Sequence, residues 1–221
     1  MFSNPSPKKK EGKSIIFNYP IIDTIELIKP SYIKPINFWD VINDRRSTRE
    51  FHELSLDEIS KILWISAKVK EIFVQDNGYV LTQRPSASAG ARHPIDIVVL
   101  STVLDSLKSI YYYNPFSHNL NRLTLKTDFI EQLKSHVNLI FDLKISTIFW
   151  FVAHPSRTEA KYKNYLSLVW RDAGALIHSI QITCAGLGIN SCAVGTLGEP
   201  YISKMFLENG EVFGVGGVIV G

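Results

Sequence analysis

Arg45, Arg46 and Arg49 crowd around Ser47 within five residues, between one apolar segment and the next. A guanidinium is a flat, permanently charged fork of donors that grips phosphate through paired hydrogen bonds. Three of them beside a hydroxyl make a site for something planar and anionic, although a solvated basic turn would account for the run taken alone. Forty residues later comes Ser-Ala-Ser-Ala-Gly-Ala-Arg-His-Pro, residues 86–94. Cys184 and Cys192 have neither metal-site nor redox spacing and read as small buried core residues, so no metal site is expected. His93 and His178, the latter on a buried helix, read as structural.

These residues need elements to position them. Residues 1–13 are polar and rich in lysine and proline, a disordered or extended tail. Residues 14–36 alternate apolar runs with prolines and predict an extended arm, and 37–221 form the folded domain. A short helix over 37–43 would deliver Arg45 and Arg46. Ser55 and Glu58 have capping-box spacing ahead of a helix running to Lys70. Asn77-Gly78 between two β-rich runs predicts a hairpin. Strands are predicted from Ile95, on both sides of Asn114-Pro115, and from Ile145, with a short helix over 127–136 after the second of these regions. The longest periodic stretch, 165–187, is apolar around much of its circumference, which predicts a helix buried on several sides and stopped at Gly186 and Gly188. A short strand, a helix from Glu199 and a last strand close the chain. Helices and strands interleave without strict βαβ alternation, so an α+β sandwich is expected rather than a doubly wound sheet. The glycines of residues 186–195 follow a helix and enter a strand, the wrong order for a dinucleotide loop.

The 221 residues are 45% hydrophobic and 20% charged, enough for one core. The net charge of +3, from 24 Lys and Arg against 21 Asp and Glu, is too slight for a nucleic-acid face. No apolar run reaches the ~18 residues of a membrane span. Two cysteines in apolar neighbourhoods, without metal-site or redox spacing, fit a reducing cytoplasm.

Several segments together resemble one family. Residues 45–51 resemble the Arg-Arg-Ser-x-Arg-x-Phe opening of the nitroreductase-like flavoproteins. Residues 86–94 are similar to their proline-serine loop, in the form typical of the branch that oxidises azolines to thiazoles and oxazoles in modified peptides. Residues 171–200 resemble the long central helix and the flavin-contacting strand after it. The resemblance implies a homodimer built on a sandwich of a central, mostly antiparallel sheet flanked by helices, with FMN at the subunit interface. It implies that Arg45, Arg46 and Ser47 hold the phosphate and ribityl chain, and that Arg49 reaches the N1/O2 edge, where reduction places negative charge. Ser88, Ala89 and Gly90 would lie along the isoalloxazine, and Val194 and Gly195 against its N5 side. The chain departs from the pattern at Ala87, where the family has proline, and at Ala91, where many members have asparagine. Members commonly end on a basic residue that reaches the phosphate, whereas this sequence ends at Gly221, so either a thinner phosphate grip or a truncated sequence is expected.

The azoline-oxidising branch carries a Lys-Tyr pair shortly before the central helix, and Lys161-Tyr162 matches it with one extra residue of spacing. By this resemblance Lys161 is the general base and Tyr162 shares its proton or orients the substrate; by spacing alone, an exposed lysine beside a packing tyrosine serves as well. The expected activity is FMN-dependent dehydrogenation of an azoline in a peptide or a related small molecule, with partner enzymes and with oxygen reoxidising the flavin. The alternatives are an NAD(P)H-dependent nitro- or quinone reductase and a flavin-free scaffold of the same fold. The loops over 73–84 and 115–126 are expected to shape the substrate pocket.

Overall fold

The computed structural model describes residues 3–13, 17–106, 108–125, 127–138, 146–207 and 211–221. In chain order the elements are β1 (Ser6–Pro7), β2 (Ile21–Glu26), α1 (Phe38–Asp44), α2 (Leu56–Ala67), β3 (Glu71–Val74), β4 (Val80–Gln83) and β5 (Ile95–Ser101). Then come α3 (Thr102–Asp105), β6 (Tyr111–Asn114), β7 (Asn119–Leu123), α4 (Thr127–Asn138), β8 (Thr147–Ala153), α5 (Pro155–Glu159) and β9 (Tyr162–Lys163). The remainder is α6 (Leu166–Leu187), β10 (Ser191–Val194), α7 (Tyr201–Met205) and β11 (Phe213–Val220).

Seven strands form one sheet in the order β10-β11-β8-β5-β6-β7-β2, and each neighbouring pair is antiparallel. Alternate side chains of a strand point to opposite faces. Ile97, Val99, Phe149 and Phe151 therefore join a core with Ile59 and Leu63 of α2 and Val169 and Ile180 of α6. Val98, Leu100, Ile148 and Trp150 join a second core with Ile130 of α4 and Ile202 of α7. Burial on both faces is why β5 and β8 read as unbroken apolar runs, and the layered architecture is the expected α+β sandwich.

Local signals place the element ends. Asn37 caps α1, its Oδ1 accepting from the Trp39 N–H at 2.9 Å. Ser55 and Glu58 close the expected capping box on α2. Gly78, at φ 78°, turns the β3–β4 hairpin. The long helix α6 stops at Gly188, whose φ of 69° is left-handed, while Gly186 remains inside it. Ile145 and Lys126 lie outside the described residues, as do residues 14–16 at the start of the arm and Glu208 at the end of the helix from Glu199.

Two expectations become more definite. α6, expected to be buried on several sides, leaves one side open: Leu166, Trp170, Gly174 and His178, spaced four apart, form an exposed stripe. His178 therefore faces outward instead of into the core, because helical period carries every fourth residue back to one side. Residues 3–13, expected to be disordered or extended, run extended: Ser6 and Pro7 pair with Lys163 and Tyr162. Among the described residues no helix is long and apolar enough to cross a membrane. Cys184 and Cys192 are buried and unbridged.

Candidate functional site

The loop from β4 to β5 is tied to α6 by one carboxylate. Ser88 Oγ donates to Asp172 Oδ2 at 2.6 Å, and the Ala89 N–H donates to Asp172 Oδ1 at 3.0 Å. The His93 N–H in turn donates to Ser88 Oγ at 2.8 Å. Burial pushes the Asp172 carboxyl above its usual range, against the pull of the Ser88 and Ala89 hydrogen bonds. Gly90 has φ 63°, and a methyl on it would stand 2.8 Å from the Tyr162 hydroxyl and 3.1 Å from Lys161 Cδ. Backbone conformation and close approach thus both require glycine there. The expected base pair and the expected ring-contacting loop, far apart in sequence, are packed against each other.

The extended tail covers the same place. Lys8 N–H donates to the Lys161 carbonyl at 2.7 Å and Gly12 N–H to that of Ala160 at 2.8 Å. Glu11 Oε1 lies 3.6 Å from Lys161 Nζ, and Glu11 Oε2 accepts from Arg92 Nη2 at 2.5 Å. Partial burial works against the Glu11 carboxylate, but Arg92 first and Lys161 second outweigh it and hold its pKa down. The Arg92 guanidinium lies 3.9 Å above the Tyr79 ring, a cation–π contact.

The arginine cluster, in the segment after α1, meets α6 elsewhere along its length. The Arg45 N–H caps α1 by donating to the Val41 carbonyl at 3.0 Å. Thr48 and Ser191 exchange two bonds: Thr48 N–H to the Ser191 carbonyl at 3.0 Å, and Ser191 N–H to Thr48 Oγ1 at 3.1 Å. Gln181 Nε2 reaches Ser47 Oγ at 3.5 Å. Arg46 and Thr48 line a cleft of about 250 Å³ with Gly188, Asn190 and Ser191. Arg49 is exposed. At the far end of β10, Val194 is buried, and the α-carbon of the exposed Gly195 faces open space. Ser47 meets α6 at Gln181 and Ser88 meets it at Asp172, nine residues away, which is about 13 Å along the axis. The structure therefore arranges the expected residues as two clusters at different levels of α6 and does not merge them into one.

Between the tail, the hairpin and the sheet lies a cavity of about 430 Å³ lined by Phe17, Tyr79, Arg84, Arg92, Tyr112 and Phe116, among others. Val80, Thr82 and Arg84 of the first expected pocket loop, and Phe116 of the second, contribute to it. Beneath it Asp96 takes both terminal nitrogens of Arg157, at 2.7 and 2.8 Å, and lies 3.0 Å from His154 Nε2. Burial opposes the Asp96 charge, yet Arg157 and then His154 keep its pKa far below the carboxylate range.

Sequence reasoning missed Asp172, Gln181, Arg92 and Glu11. Asp172, an acid on an otherwise apolar helix face, was the readable signal; Glu11 sits in a polar tail with no periodicity to mark it.

A profile described as the nitroreductase family matches residues 42–221. No curated protein sequence matches the chain. Among solved structures, a provisionally named nitroreductase of Ralstonia eutropha JMP134 superposes with a TM-score of 0.66 at 21% identity, covering 96% of each chain. Another, from Anabaena variabilis ATCC 29413, gives 0.60 at 14% identity, over 82% of this chain and 38% of that longer one. A chain of the E. coli microcin synthetase McbBCD complex with truncated pro-MccB17 bound gives 0.56 at 19% identity, over 88% of this chain and 76% of that one. At these identities the likeness is one of fold.

Proposed function

The chain belongs to the nitroreductase family, and from that premise we propose that it is an FMN-dependent oxidoreductase that dehydrogenates azoline rings. The observation that carries this reading is the packing of Lys161 and Tyr162 against Gly90. Two segments that resemble motifs of the azoline-oxidising branch meet in space, which an exposed lysine beside a packing tyrosine does not require. The fold shared with a microcin synthetase bound to its pro-peptide agrees with a peptide substrate and with partner enzymes.

The residues present fit the cofactor. Arg46 beside the cleft at Ser191, with Arg45 and Ser47 next to it, offers the donor set a phosphate needs. The open space before Gly195 leaves room for a flat ring against the backbone. Arg45, Arg46 and Ser47 would hold the phosphate and ribityl chain, Arg49 the N1/O2 edge, Ser88, Ala89 and Gly90 one stretch of the ring, and Val194 and Gly195 the N5 side. Bound FMN would supply the hydride acceptor, with oxygen as final oxidant.

Aromatising an azoline removes a C–H proton along with the hydride. Lys161 Nζ would take that proton, and the Tyr162 hydroxyl would orient the ring or share the proton. Asp172 would fix Ser88 and the Ala89 N–H so that the loop keeps its shape when water is excluded. Because Glu11 faces Lys161, the tail has to give way before a substrate can reach it. The exposed stripe on α6 supports a homodimer, and the two unbridged cysteines support a cytoplasmic setting.

The test is a visible spectrum of the purified protein with identification of the flavin released by heat, followed by a thiazoline-peptide oxidation assay. Lys161→Ala should keep bound FMN and lose at least ~100-fold in rate, the lower end of general-base effects; a fully active variant would remove the assigned base. A nitro- or quinone reductase is the second reading, favoured by the fold shared with provisionally named nitroreductases. It requires NADPH oxidation on adding a nitroaromatic, which an azoline oxidase does not need.

A further inference from the structure

The Lys161 region holds a carboxylate that belongs to the chain itself. Glu11 sits between Arg92 and Lys161, held by one oxygen on each. The Arg92 side chain is fully buried, and its Nε and Nη1 groups have no acceptor. A guanidinium carries five N–H donors, so a buried one with a single acceptor is under-satisfied and matches an additional anionic partner. Arg92 also lines the cavity of about 430 Å³ together with Lys13, Arg84, Phe17, Tyr79 and Tyr112. Arg84 commits its Nε to Thr82 Oγ1 at 3.1 Å, and its guanidinium pKa is lowered by burial to about 10, with Asp96 opposing that shift. The one acid among the lining residues, Asp96, is already engaged by Arg157 and His154. What is left is a cationic end against aromatic walls.

We propose that this cavity is a subsite for a substrate carboxylate carried on a flat apolar body, and that Glu11 of the extended tail holds Arg92, the residue the cavity shares with the Lys161 region, until the substrate displaces it. The inference rests on the reading of Lys161 as part of the active centre and adds to it the charge of the substrate. Glu11 is the internal stand-in: its carboxylate shows which chemistry the two cations accept, and the backbone bonds from Lys8 and Gly12 show how the tail delivers it.

The probe is benzoate, titrated calorimetrically into the full-length protein, with benzamide as the neutral isostere. Glu11→Ala should bind benzoate about tenfold tighter than the unchanged chain, the effect of losing one competing charge-assisted contact. Benzamide should gain nothing. Adding Arg92→Gln to Glu11→Ala should abolish benzoate binding. Where circular dichroism shows that this double variant does not fold, Arg84→Gln, at another lining cation, replaces Arg92→Gln and should weaken benzoate alone. Equal benzoate affinity with and without Glu11, no binding to Glu11→Ala, or benzamide binding as tightly as benzoate would each overturn the subsite. Benzoate binding needs neither flavin nor turnover, so a protein that binds benzoate as described but oxidises no azoline refutes the reaction and leaves the subsite standing.

Discussion

His93 and His118 are buried with their rings already engaged: His93 Nε2 lies 2.9 Å from the Thr82 carbonyl, and His118 bridges Ser60 Oγ and the Tyr113 hydroxyl at 2.9 Å each. Burial lowers the pKa of each to about 4. An unfolded chain would protonate them near 6.5, so between about pH 6.5 and pH 4 the unfolded state binds protons that the folded state refuses. Stability should therefore fall as pH drops through that window, by up to ~1.4 kcal/mol per pH unit for each histidine. Urea midpoints measured from pH 7 to pH 4 check this; His93→Asn, which tolerates the positive φ at that position, should reduce the slope, and a flat wild-type profile would count against it. Asp96 acts lower: its depressed pKa contributes stability that is lost only as pH falls below the ordinary carboxylate range. At this scale the candidate residues were legible by type. Arg45, Arg46, Arg49, Lys161 and Tyr162 could all be named in advance, whereas Glu11 could not, because nothing in a lysine-rich tail reports that one acid folds back onto a distant lysine.

The element that organises the candidate site is α6. Asp172 is the acceptor for both Ser88 Oγ and the Ala89 N–H, so Asp172→Ala leaves two donors without their partner at a half-buried loop. We expect a loss of about 1–3 kcal/mol, with faster amide exchange over residues 86–93 and little change in the β3–β4 hairpin. Exchange rates unchanged over that loop would mean that the carboxylate does not hold it. The same distinction explains which elements could be read in advance. The capping box at Ser55 and Glu58, the turn at Gly78 and the stop at Gly188 are local devices whose residues lie next to the feature they create. The two-residue strands β1 and β9 have no pattern of their own: they exist because the tail crosses the segment before α6, a contact made between residues more than 150 apart in sequence. Helix α5 is a single turn between β8 and β9, started by Pro155 at its first position.

For the whole molecule, the stripe Leu166, Trp170, Gly174 and His178 leaves apolar surface uncovered on the longest helix. Nothing lies within 4 Å of a methyl built on Gly174, so the single chain tolerates a side chain there, while a helix packed across it would not. Gly174→Glu should therefore keep the thermal midpoint of the isolated fold to within a few degrees and convert the expected dimer into a monomer, as read by light scattering. A variant that stays dimeric would move the interface to another surface. The sequence marks α6 as apolar around much of its circumference, but periodicity cannot distinguish a side covered by the chain's own core from one left open. Strand β11 sets a different requirement. The last element of the chain lies between β10 and β8, in the interior of the sheet, and its Gly217 sits so close to the Phe149 carbonyl that a methyl would stand 2.4 Å away. β8 and β10 meet only through this strand, so until it inserts between them each keeps an open edge and the two have no mutual partner. Completing the sheet then waits on contacts distant in sequence, and the open edge of β8 is where another partly folded copy would pair.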